Sequence, residues 1–176
     1  MKEAVLISKL KEKDKTALGY LYDNYAEALY GVIVRITNDD NLSEEVLQDA
    51  FMRIWERIDH YKEGRGTLFT WMMALTRNLA LDRLRAKGMK LRSKSDSLSD
   101  NVYQLDKKNF TETSTDAIGL EEVLRNLSDE QRFVIDKLYF RGYTQSEVAK
   151  EFDIPLGTVK TRLRSAMIRL KKVIIP

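Results

Sequence analysis

Between Thr16 and Ile36 the apolar side chains fall at Leu18, Leu21, Tyr22, Tyr25, Leu29, Val32, Ile33 and Ile36, the spacing of a single helix face. After a polar turn over Thr37 to Asn41 the stripe returns in Leu42 to Ile58, through Leu47, Ala50, Phe51, Ile54, Trp55 and Ile58. Glu44 and Glu45 sit in the first turn of that segment, where the helix dipole favours acids. A loop from Asp59 to Gly66, containing Gly64 and Gly66, leads into a long helix predicted from about Leu68 to Ala86. No Asn-Gly or Asp-Gly hairpin turn occurs and no alternating apolar run persists, so strand signals are weak. The chain is expected to be all-α. A doubly wound nucleotide-binding sheet has no room in it.

The C-terminal part is punctuated more sharply. Ser128-Asp129-Glu130-Gln131 reads as a capping box, with the Ser128 hydroxyl on one orphan N–H and Gln131 reaching back. The helix it opens passes Val134, Ile135, Leu138 and Tyr139 and stops at Arg141-Gly142-Tyr143, where Gly142 suits a left-handed residue. A second box, Thr144-Gln145-Ser146-Glu147, starts a short helix through Val148, Ala149 and Phe152. Pro155 breaks the chain in the turn Asp153 to Gly157, Gly157 is expected to allow close approach, and Thr158 opens a last helix to about Val173. Short helix, tight turn, longer basic helix is the helix-turn-helix pattern.

Charge and composition divide the chain. Of 176 residues, 30 are Lys or Arg and 27 are Asp or Glu, a net charge of +3. From Arg83 to Ser95 there are nevertheless six bases and no acid, and after Asp153 six more and no acid. Two basic stretches on a nearly neutral chain suggest two contact zones on one polyanion. Between them, Leu91 to Ile118 holds eight Ser and Thr and keeps no helical period. The expected organisation is two helical domains, 1–90 and 119–176, joined by a flexible linker, 91–118.

On a wheel at about 100° per residue, Val159, Leu163, Ala166, Met167 and Leu170 of the last helix share a buried arc, while Thr161, Arg164 and Ser165 fall opposite with Lys160 at the border. Those donors suit base edges and phosphates in a major groove. Tyr143, Thr144 and Gln145, at the start of the preceding helix, are placed to meet the DNA backbone.

The segments Leu127–Arg132, Gly142–Ala149 and Ile154–Leu163 resemble domain four of extracytoplasmic-function (ECF) sigma factors. Gln48-Asp49-Ala50-Phe51 with Trp55, then Phe69-Thr70-Trp71-Met72 and Thr76–Arg85, are similar to domain two of the same factors. The resemblance covers nearly the whole chain except the linker. It implies a cytoplasmic protein that binds core RNA polymerase and directs it to promoter DNA, domain two opening the minus-ten element and domain four reading the minus-thirty-five element. It assigns Lys160, Thr161 and Arg164, with Ser165, Thr158 and Thr144 in support, to the minus-thirty-five element. It assigns Tyr61, Lys62 and Arg65 of the loop and Trp71, Arg77, Asn78 and Arg85 of the long helix to the minus-ten strand, Trp71 equally readable as a core tryptophan. Gln48 and Asp49, with the neighbouring Met52 and Arg53, match the segment that contacts polymerase. Membership also implies an anti-sigma protein as a probable partner. The two elements lie roughly 60–70 Å apart at ~34–36 Å per turn, and 28 residues reach at most ~90–100 Å when extended.

Other classes find little support. There is no cysteine and one histidine, His60, which removes thiolate chemistry and His-rich metal clusters. No glycine-rich phosphate loop or nucleophile–base constellation is present. The acids Asp39, Asp40, Glu44, Glu45 and Asp49 read as helix-start residues, so neither a metal nor a cofactor is expected, nor an enzyme. The Lys- and Glu-rich start, Met1 to Lys15, lacks a signal core, and no apolar run is long enough to span a bilayer, so no membrane insertion is expected. Asp82 is expected to pair with a nearby arginine.

Overall fold

The computed structural model describes residues 1–94 and 124–174. Most of the expected linker lies outside the described residues, and every described element is helical.

Four helices build the N-terminal lobe: α1 (Glu3–Lys11), α2 (Lys15–Thr37), α3 (Asp40–Arg57) and α4 (Leu68–Lys94). Asp14 caps α2 by accepting from the Thr16 N–H at 2.8 Å. At the other end Asn38 takes a left-handed φ of 50° and its N–H donates to Val34 O. Asp39 then caps α3 by accepting from the Leu42 N–H at 3.0 Å. The turn is tied internally, since the buried hydroxyls of Thr37 and Ser43 lie 2.7 Å apart. The apolar stripes meet in a core with Leu21, Leu29, Ile33, Ile54, Ile58, Phe69 and Met72 fully buried.

Two features depart from the sequence expectation. The Lys- and Glu-rich start is a helix, α1, because Leu6, Ile7 and Leu10 bury one face of it. α4 runs past Ala86 to Lys94: no proline interrupts it, and Gly88 is its one weak helix former there, costing about 1 kcal/mol against a run of Leu, Arg, Lys and Met.

In the C-terminal lobe both capping boxes form. Ser128 Oγ accepts from the Gln131 N–H and Gln131 Oε1 accepts from the Ser128 N–H, opening α5 (Asp129–Ile135). α5 widens into a π-helical turn over Asp136–Phe140, with the Arg141 N–H donating to Asp136 O, and Gly142 follows at φ 73°. Thr144 and Glu147 make the reciprocal bonds that open α6 (Gln145–Glu151). The turn into α7 (Leu156–Ile174) differs in detail from expectation. The left-handed residue is Asp153, at φ 51°, and Gly157 lies inside the first turn of α7 with open space around its Cα. Pro155 fits because its carbonyl is what the turn needs: it accepts from the Thr158 and Val159 N–H groups.

The lobes pack against one another, where the sequence suggests modules meeting only through a tether. Leu81 of α4 lies against Gly142, and the Arg35 guanidinium of α2 stands 4.7 Å from the Phe140 ring centroid. Lys171 of α7 pairs with Glu3, whose other oxygen accepts from the Leu68 N–H at the start of α4. A single apolar cluster runs through both lobes.

Two outcomes follow for stability. The Thr76 hydroxyl is fully buried without a hydrogen-bond partner, so Thr76→Val leaves stability unchanged or raises it by about 1 kcal/mol, read as the urea midpoint at constant slope. The Leu42 N–H and the Lys87 ammonium hold Asp39 below the usual carboxylate range. The stability this contributes is full above the ordinary aspartate value of about 4 and is lost as the pH falls through the lower native value. Asp39→Asn is therefore expected to cost most near pH 7 and progressively less in acid. An equal cost at pH 7 and pH 3 would show that the charge is not its source.

Candidate nucleic-acid interface

α7 buries Val159, Ala166, Met167 and Leu170 against α5 and α6, and this fixes which side chains it presents outward. Lys160, Thr161 and Arg164 are exposed, and Thr158 is partly covered. Thr161 Oγ1 donates to Gly157 O at 2.8 Å, so its hydroxyl oxygen faces outward as an acceptor. Ser165 is tied inward: Gln131 Nε2 donates to its Oγ at 2.8 Å, and that hydroxyl donates to Arg162 O. Gln131 thus closes the α5 cap and buttresses α7 with one side chain, a role the sequence did not reveal. Thr144 is exposed, its hydroxyl accepting the cap bond from Glu147 N–H. The Tyr143 side chain is buried, its hydroxyl donating to Glu151, and Gln145 is half-buried.

On the N-terminal lobe the loop before α4 is drawn taut. Tyr61 is buried, and its hydroxyl donates to Gly66 O at 2.8 Å. That ring lies 5.8 Å from the Trp71 ring at a tilt of 52°, so the half-buried tryptophan leans on the loop and keeps part of its surface open. Lys62, Arg65, Asn78 and Arg85 are exposed. Asp82 stands 3.9 Å from Arg85 on the same helix surface. Arg77 is placed unlike the others. Its Nε donates to Leu138 O, its Nη2 to Tyr143 O at 3.1 Å, and its Nη1 to Asn78 Oδ1 at 2.8 Å. Burial lowers the guanidinium pKa from its ordinary value.

The structure brings part of both sets together. A cleft of ≈ 710 Å³ between the lobes is lined by Arg65, Thr67 and Thr70 on one side and by Gln145, Lys160 and Arg164 on the other, with Glu3 and Glu63 also among its lining residues. Lys62, Trp71 and Arg85 are not among its walls.

A third face lies on α3. Gln48, Met52 and Arg53 are exposed, Met52 to 54 %, while Asp49 pairs with Arg83 of α4. Tyr22 of α2, half-exposed, adds its ring 4.9 Å from Phe51. Helical spacing puts Tyr22 on the apolar stripe of α2, and its exposure beside α3 is set by neighbours that the spacing does not reveal.

Residues 21–89 match the family model for sigma-70 region 2, and residues 123–172 that for sigma-70 region 4. The ECF RNA polymerase sigma factor SigK of Mycobacterium sp. (strain KMS) is 29 % identical over 178 residues, covering 95 % of this chain and 88 % of its own. SigK of Mycobacterium bovis (strain BCG / Pasteur 1173P2) is 24 % identical, covering 94 % of this chain and 90 % of its own. Among solved structures, CnrH in complex with the cytosolic domain of CnrY aligns over 98 % of this chain and 96 % of its own, at 18 % identity and a TM-score of 0.47. The two family regions stand in the order the motifs require and together take in most of the chain, which belongs to the ECF subfamily of bacterial RNA polymerase sigma factors.

Proposed function

We propose that this sigma factor, which binds core RNA polymerase and directs promoter-specific initiation, divides its contacts among three surfaces. The exposed face of α7 reads the minus-thirty-five element, with Lys160 and Arg164 as the charged donors, Thr161 as an acceptor, and Thr158 and Thr144 beside the backbone. The observation that carries this is the burial pattern of α7, which turns these side chains outward while Val159, Ala166 and Met167 lock the helix down.

The loop residues Tyr61, Lys62 and Arg65, with Trp71, Arg77, Asn78 and Arg85 of α4, hold the minus-ten strand by backbone groups, stacking and charge, as single-strand binders do. Tyr61 contributes by shaping the loop through its bond to Gly66. Ser165 contributes by holding α7 in register on Gln131. Polymerase meets α3 at Gln48, Met52 and Arg53, with Asp49 supporting the surface through Arg83. The working units are 1–90 and 119–176 with 91–118 between them.

The protein works by binding and has no reaction of its own, and its place of action is the cytoplasm, where polymerase works. No helix among the described residues is long and apolar enough to cross a membrane. Membership of the subfamily implies an anti-sigma protein among its partners.

Run-off transcription with core polymerase tests the assignment. Arg164→Ala is expected to cost about 1–3 kcal/mol in promoter recognition and to relax base preference at one minus-thirty-five position, with core binding unchanged. If Lys160 instead touches phosphate, Lys160→Ala weakens all promoters alike and lowers the salt slope by about one. Unchanged promoter choice in both variants would overturn the reading of α7.

A further inference from the structure

α1 lies outside the residues that match the region 2 model, 21–89, yet it is built into the loop that precedes α4. Leu6, Ile7 and Leu10 bury its inner face, which fixes where its first residue, Glu3, is held. Glu3 Oε1 accepts from the Leu68 N–H at 3.1 Å, across 65 residues of chain. α4 does not supply that bond itself. Its local cap is Thr67, whose carbonyl accepts from the Trp71 N–H and whose hydroxyl accepts from the Thr70 N–H at 3.2 Å. A cap side chain reaches the second or third N–H of a helix and leaves the first, here that of the fully buried Leu68, to find another partner.

We propose that Glu3 is a positioning residue for the minus-ten strand: it fixes the start of α4 from α1, and so holds the Tyr61 to Thr67 loop in the shape that discriminates minus-ten bases. The inference rests on the reading of that loop as a minus-ten contact. The loop is gripped at three points. α1 packs on the short turn Ile58–His60 that leads into it. Within it, Tyr61 is buried and its hydroxyl donates to Gly66 O at 2.8 Å. Glu3 takes the exit, at Leu68. Between these points Lys62, Gly64 and Arg65 are exposed on a turn closed by the Arg65 N–H to Lys62 O bond. The two loop cations are therefore aimed by what holds the loop's ends.

Charge points the same way. A carboxylate that shares a cleft lining with Arg65, Lys160 and Arg164 repels a polyanion, so contact with DNA does not account for an acid there. Capping does. The carboxylate stands at the N-terminus of a 27-residue helix, where the dipole favours negative charge. Its other oxygen pairs with Lys171. Burial first, and then the Glu3 charge, push the Tyr61 phenol above its ordinary pKa, which keeps it a donor to Gly66 O. Glu3 thus acts on the strand through Leu68 and Tyr61.

Reach and charge separate the cap from the ion pair. Glu3→Gln keeps the length and an acceptor oxygen but loses the charge. Glu3→Asp keeps the charge but falls one methylene short of Leu68. Holoenzyme reconstituted from core polymerase and each full-length variant is titrated, by fluorescence anisotropy, against two single strands. One carries the minus-ten sequence of a promoter that the wild-type holoenzyme transcribes, and the other has one of its bases changed. The ratio of the two affinities is expected to fall by about tenfold in Glu3→Asp and Glu3→Ala, as when one stacked base is displaced, and to stay near the wild-type value in Glu3→Gln. A purely stabilising role would lower the urea midpoint and leave that ratio unchanged in the folded holoenzyme. An unchanged ratio in Glu3→Asp, or a ratio lost in Glu3→Gln, would overturn the proposal. Lys62→Ala combined with Arg65→Ala tests the underlying reading separately. Strand affinity unchanged in that variant would overturn the loop's assignment, whereas a loss there beside a normal ratio in Glu3→Asp overturns the role of Glu3 alone.

Discussion

A charged group between two lobes is held only if every donor finds a partner, and in this sigma factor the partner depends on an irregular helix. In a regular α-helix the carbonyl of Leu138 would accept from the N–H four residues on. The π-helical turn shifts the pairing by one, to Arg141 on Asp136. Leu138 O then takes the Arg77 guanidinium, and Tyr143 O beyond the left-handed Gly142 takes its second branch. Hydrogen bonds from a cation contribute about 1.5–3 kcal/mol each. Burial works against them, as the lowered Arg77 pKa records. The two effects act in opposite directions on the same guanidinium, so its bonds to the other lobe are made against a desolvation cost.

The same opposition explains how the helix-turn-helix is built. Its polar side chains divide between structure and reading. Gln131 satisfies both the α5 cap and Ser165, and Thr144 and Glu147 satisfy the start of α6. Each bond removes freedom from α7 or from the helix it leans on. What stays outward is Lys160, Thr161 and Arg164, on a helix whose position is set by apolar burial on one side and by the Gln131–Ser165 bond on another. A long cation on a loosely seated helix would bind phosphate without choosing bases, so the seating of α7 bears directly on the reading proposed for it.

Much of this was legible in the sequence, and the misses have particular causes. The stripes that define α2 and α3, both capping boxes and the outward face of α7 follow from local periodicity and cap chemistry, and the structure repeats them. α1 was hidden because its lysines and glutamates mask a three-residue apolar contact, Leu6, Ile7 and Leu10, whose value depends on a surface elsewhere in the chain. The end of α4 was misplaced because serine and charge near residue 90 read as a linker, although nothing in Arg83 to Lys94 forbids a helix. Gly157 drew the eye in the turn, but Asp153 adopts the left-handed conformation. The wheel put Ser165 on the reading face, since an angle says nothing about which neighbour occupies it. Contact between the lobes joins Leu81 to Gly142 and Arg77 to Leu138, pairs far apart in sequence that no local pattern links.

The charge on the cleft walls gives the arrangement its direction. Arg65 lines one wall and Lys160 and Arg164 the other, with Glu3 and Glu63 also in the lining, so the opening mixes three cations with two carboxylates. These groups are solvent-exposed or nearly so, so their balance is shallow and responds to salt. A polyanion is attracted to the cations of both walls and repelled by the two glutamates. The cations that suit each wall to a polyanion therefore stand on both sides of one opening.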